Sequence, residues 1–484
     1  MGENKKMSMK KAAMINAFSK YFEIVRQLIF SAILSRLLSP EDYGIVAVVT
    51  VFTTFFAMFS DMGLGTAVVQ RRDLDEDDIQ SIYTLTVYIG IGMAILFSIF
   101  SFPMSWFYGD SVYLPIGILL SLTLLFSSFN TVPNAILNRE KRFVLIAVRT
   151  ITIALVSGIV TIILAFMGFK YYSLVIQSIL SAVLTYLWNK VYVRIKFRTR
   201  IKKDSIHKVF SYSGYQFAFN IVNYICRNLD NLLTGKFMGA AELGYYNKAY
   251  SLMLYPINNL SGVITPILHP ILSDYQDKKE EMYRKYMSVV RLLAVIGVFV
   301  ATYCFWAGEE LITIMYGDQW IKSVACFKLL TFSLCFQMIT SSTGAIFQSL
   351  GKTKLLFVSG SITTCLSVAG ILIGVSFGTI QTLALGVSIA YIGHFLVAFY
   401  MLIKRGFEYR LRDFYFELWR EGAILVLLIV TIVCCYSRIQ FANLFLSAFV
   451  KIVILGIVYL IGLLITGDAK MILNLVGVKL NRKK

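Results

Sequence analysis

Charge is scarce in this chain, and negative charge scarcer still. Only 15% of the 484 residues are charged, with 27 Asp and Glu against 46 Lys and Arg. Soluble domains carry roughly 25% charged residues, and the mean hydropathy of +0.71 places the chain well outside that class. Proline is rare, with 7 in the whole chain, so long helices run unbroken. Apolar runs of about 20 residues fit spanning helices, whereas barrel strands alternate over about 10. The seven cysteines all fall in apolar segments, with no CxxC pair, so neither a disulfide framework nor a zinc site is supported. The three histidines, His207, His269 and His394, have no partner at ligand spacing. No hydrophilic stretch is long enough for a soluble catalytic domain. The start, MGENKKMSMKK, is basic like a signal peptide, but the next segment holds Lys20, Glu23 and Arg26 and no small-residue cleavage site, so retention is expected.

What remains is an all-α polytopic membrane protein, with about fourteen apolar segments between residues 12 and 466. Alternate loops, from the N-terminus through 190–208 and 404–420 to the C-terminus, carry 33 of the 46 basic residues. By the positive-inside rule both termini are cytoplasmic. The net charge of +19 is thereby accounted for by loops beside anionic membrane lipid, and a nucleic-acid partner is not needed to explain it.

Within the apolar run after residue 209, Gln216, Asn220, Asn223, Arg227, Asp230 and Thr234 recur every three or four residues. On a helix they form one stripe, which cannot face lipid cheaply and must line a cavity or pair internally. The same stripe stands 200 residues earlier in Asn16, Lys20, Glu23 and Gln27. Leu38–Gly44 (LSPEDYG) matches Met238–Gly244 (MGAAELG), Trp106–Asp110 matches Ile314–Asp318, and Ala135–Phe143 matches Ala345–Thr353. The expected organisation is therefore two pseudo-symmetric six-helix lobes, 1–203 with a basic linker and 204–405, followed by two further helices and a basic tail at 406–484. Six helices per repeat gives both lobes the same orientation, related by an axis along the membrane normal.

The runs LSRLLSPEDYGIVAVVTVF, FSDMGLGTAVVQRRDLDEDD and NAILNREKRF resemble the polysaccharide-export flippases of the multidrug/oligosaccharidyl-lipid/polysaccharide exporter superfamily. The likeness extends over about residues 10–405 and is best with the branch of colanic acid or lipopolysaccharide O-unit flippases and teichuronic acid exporters. It implies a V-shaped pair of lobes in the bacterial cytoplasmic membrane that translocates an undecaprenyl-diphosphate-linked oligosaccharide by alternating access. No cofactor and no enzymatic step are implied. A polysaccharide polymerase and chain-length machinery are the partners such a pathway would supply.

The in-membrane cations Lys20, Arg26, Arg149, Arg227, Lys248, Arg291 and Lys328, with Asn220 and Asn223, are the candidates for holding the diphosphate-sugar head. Arginine's planar fork matches phosphate oxygens. Arg26 and Arg227 lie deepest in their segments. Lys248, Lys328, Arg149 and Arg291 lie near helix ends, where snorkelling to the interface accounts for them equally well. Glu23 stands three residues from Lys20 and Arg26, and Asp230 three from Arg227, so each acid can neutralise its neighbour or bind a coupling ion. Pro256, Pro266 and Pro270 mark a kinked helix, static or moving. Leu350–Thr353 (LGKT) imitates a phosphate-binding loop but lacks the glycine spacing and a preceding strand. The acidic run Asp73–Asp78 has DxD spacing but no nucleotide-binding domain around it. The rivals are a multidrug or organic-cation antiporter, which calls for acidic cavity walls, a membrane polysaccharide polymerase, which calls for a large outer domain, and a scramblase or scaffold.

Overall fold

The computed structural model describes residues 9–71, 73–198, 202–261, 268, 272–276, 278–435, 441 and 443–469, with only the backbone path for 9–20 and 203–219. It is helical, and no strand occurs among the described residues. Among the described residues ten helices are long and apolar enough to cross a membrane, or eleven if Leu411–Glu417 with Trp419–Cys435, bent by 46°, is one span. Three of the expected segments are helices that this measure omits: Met9–Leu37 and Lys203–Phe237 carry the polar stripes, and Ala240–Pro256 has 17 residues. The helix Thr353–Ser376 buries only 11% of its most apolar window. An apolar surface of that extent is stable only in lipid, and the chain is a multi-pass membrane protein.

The chain forms two compact units, Met1–Gly244 and Tyr245–Lys484. In the first, α1 (Met9–Leu37), α2 (Pro40–Asp61), α3 (Leu64–Gln70), α4 (Glu76–Tyr108), α5 (Tyr113–Arg139), α6 (Phe143–Phe166), α7 (Tyr171–Tyr192) and α8 (Lys203–Phe237) precede the start of α9 (Ala240–Pro256). The first repeat motif explains its own turn. Ser39 Oγ accepts from Asp42 N at 3.2 Å while the Asp42 carboxylate accepts from Ser39 N at 2.9 Å, a capping box that starts α2 behind Pro40. Asp42 Oδ1 also accepts from Tyr171 N at 3.1 Å, pinning the start of α7.

The two glycines that close the repeated motifs meet the opposite copy. A Cβ on Gly44 would lie 1.7 Å from the Ala240 carbonyl oxygen, and one on Gly244 would lie 1.9 Å from that of Pro40. Positions 40 and 44 thus touch 244 and 240 reciprocally, the self-complementary contact a twofold operation generates. Only glycine permits backbones to approach this closely.

The segment 193–198 is extended. Ile195 packs into the core under α3 and α4, Phe197 meets Tyr88 with ring centroids 5.8 Å apart, and Arg198 N donates to Thr84 Oγ1 at 3.1 Å. Asp77 pairs with Arg198 at 2.8 Å and Lys202 at 3.0 Å. With Asp75 and Asp78 forming the α4 capping box and Asp73 pairing with Arg71, the acidic run is spent on structure.

The second unit packs its long helices Lys279–Trp306, Lys322–Thr340 and Ile380–Phe399 around an aromatic core in which Tyr286 lies parallel to Phe399 at 6.4 Å. The two last helices are tied on by ions. Arg291 donates to Glu421 at 2.9 Å and to Asp468, and Lys451 donates to Glu310, which also accepts from Ser447 Oγ at 2.6 Å. Lys352 of the LGKT sequence caps the carbonyls of Arg405 and Gly406, both at 2.9 Å, and pairs with Glu408, so this lysine serves as a helix-end clamp.

A cationic cavity inside the first unit

On α6 the residues Arg149, Ile153, Ser157 and Thr161 are buried at four-residue intervals, so one face of an otherwise apolar helix turns inward. Arg149, Ile153 and Ser157 of that face line a cavity of about 440 Å³ together with Glu23 and Arg26 of α1 and Gln177, Ser178, Ser181 and Thr185 of α7. Among the described residues, hydroxyls, an amide, two guanidinium groups and one carboxylate thus meet inside the first unit.

The two arginines are held differently. Arg26 donates through Nε at 2.9 Å, and again through Nη2, to Glu23 one helical turn earlier, and its guanidinium lies 5.3 Å from the Phe30 ring centre. Arg149 is only 8% exposed and has no carboxylate partner among the described residues. Its Nη1 donates to Asn134 Oδ1 at 2.6 Å and to Asn189 Oδ1 at 2.5 Å. Asn189 Nδ2 in turn donates to Asn130 Oδ1 at 2.9 Å and Asn134 Oδ1 at 3.0 Å, and Asn130 Nδ2 to the Ala182 carbonyl at 3.2 Å. The result is a closed amide network from α5 and α7 around one arginine. Sequence reasoning missed all three asparagines. The available signal was Asn130 and Asn134, four apart on an apolar helix.

Of the other candidates, Lys20, Asn16 and Gln216 have side chains outside the described residues, as do His207, His269, Pro266 and Pro270. On α8, Asn220 and Arg227 are exposed, Asn223 half-buried and Asp230 buried. The expected Arg227–Asp230 ion pair is not formed; the Asp230 carboxylate accepts from Asn231 N at 2.8 Å while Arg227 projects outward. Tyr224 of the same helix donates to the Val51 carbonyl at 2.8 Å, fixing α8 to α2. In the second unit Lys248 is buried with its ammonium 4.8 Å from the Tyr316 and 5.5 Å from the Trp320 ring centres, so the repeated YGD turn covers it. Lys328 lays its stem against Gly308, and Arg291 belongs to the ion cluster above. His394 bonds Ser367 Oγ at 2.9 Å and the Thr363 carbonyl, joining two helices.

Fold and site define a polytopic all-α membrane protein with a partly open cavity that carries two arginines. Residues 33–325 match the family model described as "Polysaccharide biosynthesis protein", more than half of the chain, and the protein belongs to that family. It is 23% identical over 385 residues to the teichuronic acid biosynthesis protein TuaB of Bacillus subtilis (strain 168), covering 78% of each chain. It is 22% identical over 410 residues to the lipopolysaccharide biosynthesis protein WzxC of Escherichia coli (strain K12), covering 81% of this chain and 80% of the relative. Among solved structures the lipid II flippase MurJ in an inward closed conformation superposes with a TM-score of 0.73 at 16% identity, over 94% of this chain and 99% of the other. An inward-facing multidrug transporter of the MATE family gives 0.60 at 16% identity, over 82% and 94%. These likenesses establish the fold.

Proposed function

We propose that the protein is a flippase that moves an undecaprenyl-diphosphate-linked oligosaccharide repeat unit across the bacterial cytoplasmic membrane for surface polysaccharide synthesis. The observation that carries the reading is Arg149, a buried guanidinium that lines a polar cavity and is oriented by amides instead of acids. A diphosphate is the part of such a substrate that most resists crossing hydrocarbon, and a desolvated guanidinium is its natural counter-charge. Hydroxyl and amide groups of α6 and α7 suit the sugars, while the polyprenyl tail stays in lipid. An organic cation is disfavoured, because among the described lining residues Arg26 and Arg149 face one acid, Glu23.

The relatives named for polysaccharide synthesis and the MurJ-like fold support this reading. The wider scheme keeps the duplicated six-helix lobes at 1–203 and 204–405 with the accessory helices at 406–484, both termini in the cytoplasm, and alternating access. No cofactor takes part, and the product passes to a polymerase and chain-length machinery. Asn220, Asn223 and Arg227 extend the path along α8, while Glu23 and Asp230 remain candidates for ion coupling. The decisive experiment replaces Arg149 in cells lacking the chromosomal copy. With Arg149→Gln, lipid-linked repeat units should accumulate on the cytoplasmic face, and with Arg149→Lys export should be partly restored. Normal export by a well-expressed Arg149→Gln protein refutes the proposal.

A further inference from the structure

Cations inside this protein are held in three ways. Carboxylates hold Arg26, Arg291 and Lys451, and aromatic rings lie against Lys248. Arg149 differs from these in donating its side-chain hydrogen bonds to amide oxygens. The distinction is chemical. A carboxylate orients a guanidinium and cancels its charge, whereas an amide oxygen orients it and leaves the charge in place.

The geometry adds direction. Both hydrogens of Nη1 go to Asn134 and Asn189, and no described residue accepts from Nε or Nη2. Those two nitrogens form the edge with which arginine grips two oxygens of a phosphate at once. Asn189 is held in turn by Asn130 and Asn134, so the Nη1 anchor does not swing. We propose that Asn134 and Asn189 are positioning residues that set the specificity of the site: they present the Nε/Nη2 edge of Arg149, at full charge, to a polyprenyl-linked diphosphate. This rests on the reading of the cavity as the head-group site.

Asn134 offers an unusually clean test. Its Oδ1 accepts both bonds, and its Nδ2 donates to no described residue. Asn134→Asp therefore keeps the shape and both acceptor contacts while adding a charge that neutralises Arg149. A role in folding alone predicts that this substitution is harmless, since it creates a buried ion pair.

The assay is binding of undecaprenyl diphosphate, with undecaprenol as the uncharged control, to full-length protein in phosphatidylcholine nanodiscs. Asn134→Asp should weaken diphosphate binding by about tenfold or more, the scale of one charge-assisted contact, with undecaprenol binding and melting temperature kept. Asn189→Ala should weaken it by roughly fivefold, as one of two anchors is lost. Added phosphatidylglycerol should not displace the diphosphate; displacement assigns the edge to bulk lipid and overturns the proposal. If Arg149→Gln lowers diphosphate affinity but Asn134→Asp does not, the inference fails and the head-group reading stands. If Arg149→Gln itself changes nothing, the head-group reading fails. Should Asn134→Asp not assemble, Asn189→Ala decides, and unchanged affinity there overturns the inference.

Discussion

Replacing Gly44 by alanine tests the reciprocal contact between the repeated motifs. The new methyl lies 1.7 Å from the Ala240 oxygen, about 1.3 Å inside the 3.0 Å that real Cβ contacts respect. Neither partner can turn aside, because the obstacle is backbone at the start of α9 and the residue sits within helical backbone near the start of α2. The helix starts must part by more than an ångström, and overpacking of this kind costs roughly 1–3 kcal/mol. Gly244→Ala meets the Pro40 carbonyl at 1.9 Å and should cost about as much. The informative variant is the double. Once one methyl has separated the helix starts the second finds room, so the combined loss should fall short of the sum by about 1 kcal/mol. Melting of purified full-length proteins in one detergent at one scan rate measures this, with Trp306 and Trp320, both fully buried, as fluorescent reporters. Strict additivity, or a harmless Gly44→Ala beside a damaging Gly244→Ala, refutes a shared twofold contact.

Other outcomes follow from single features. Lys451→Met strands Glu310 in the second unit and should destabilise by about 3–5 kcal/mol, while adding Glu310→Gln should recover most of the loss, both read by melting temperature. The Glu408 carboxylate is held below its ordinary range by Lys352 and Lys279, so its contribution is present above the unfolded carboxylate pKa and lost as pH falls through the lowered folded value. The melting advantage of wild type over Glu408→Gln should accordingly shrink on acidification, and an advantage that grows contradicts the assignment. Arg227 has no ion pair with a described residue. Arg227→Ala should leave melting unchanged and lower export severalfold, with normal export removing α8 from the path. Labelling of single cysteines in a cysteine-free background should place the 190–208 loop inside and the turns at 108–110 and 316–318 outside; opposite sides for the two turns sinks the parallel repeat.

The helices were legible because lipid imposes run length and the loops impose sign, and both can be counted along a chain. The period of the polar residues drew attention to two segments that apolarity alone passes over, and both are helices. Spacing fared unevenly on ion pairs. Glu23 and Arg26, three apart, do pair, whereas Asp230 and Arg227 at the same spacing do not. A helical offset sets proximity, while burial of one partner and exposure of the other decides contact. The amide cage was illegible because its members are neutral and come from helices more than fifty residues apart, where no local pattern joins them. The end-of-helix reading of Lys248 left snorkelling open, but two rings that arrive some seventy residues later bury it.

The sparse burial of the spanning helices has a bearing on how many sequences the fold admits. A side chain that faces another side chain must match its shape, but one that faces acyl chains need only be apolar and of tolerable length, since fluid tails mould themselves to any contour. The exposed positions of Thr353–Ser376, among them Phe357, Ile362, Leu372 and Ile373, are free in this sense. Such positions can exchange leucine, valine, isoleucine and phenylalanine for one another across generations with little consequence. Sequence is then weakly constrained while the arrangement of helices is kept, so that one fold can be written in very different sequences, as a TM-score of 0.73 beside 16% identity illustrates.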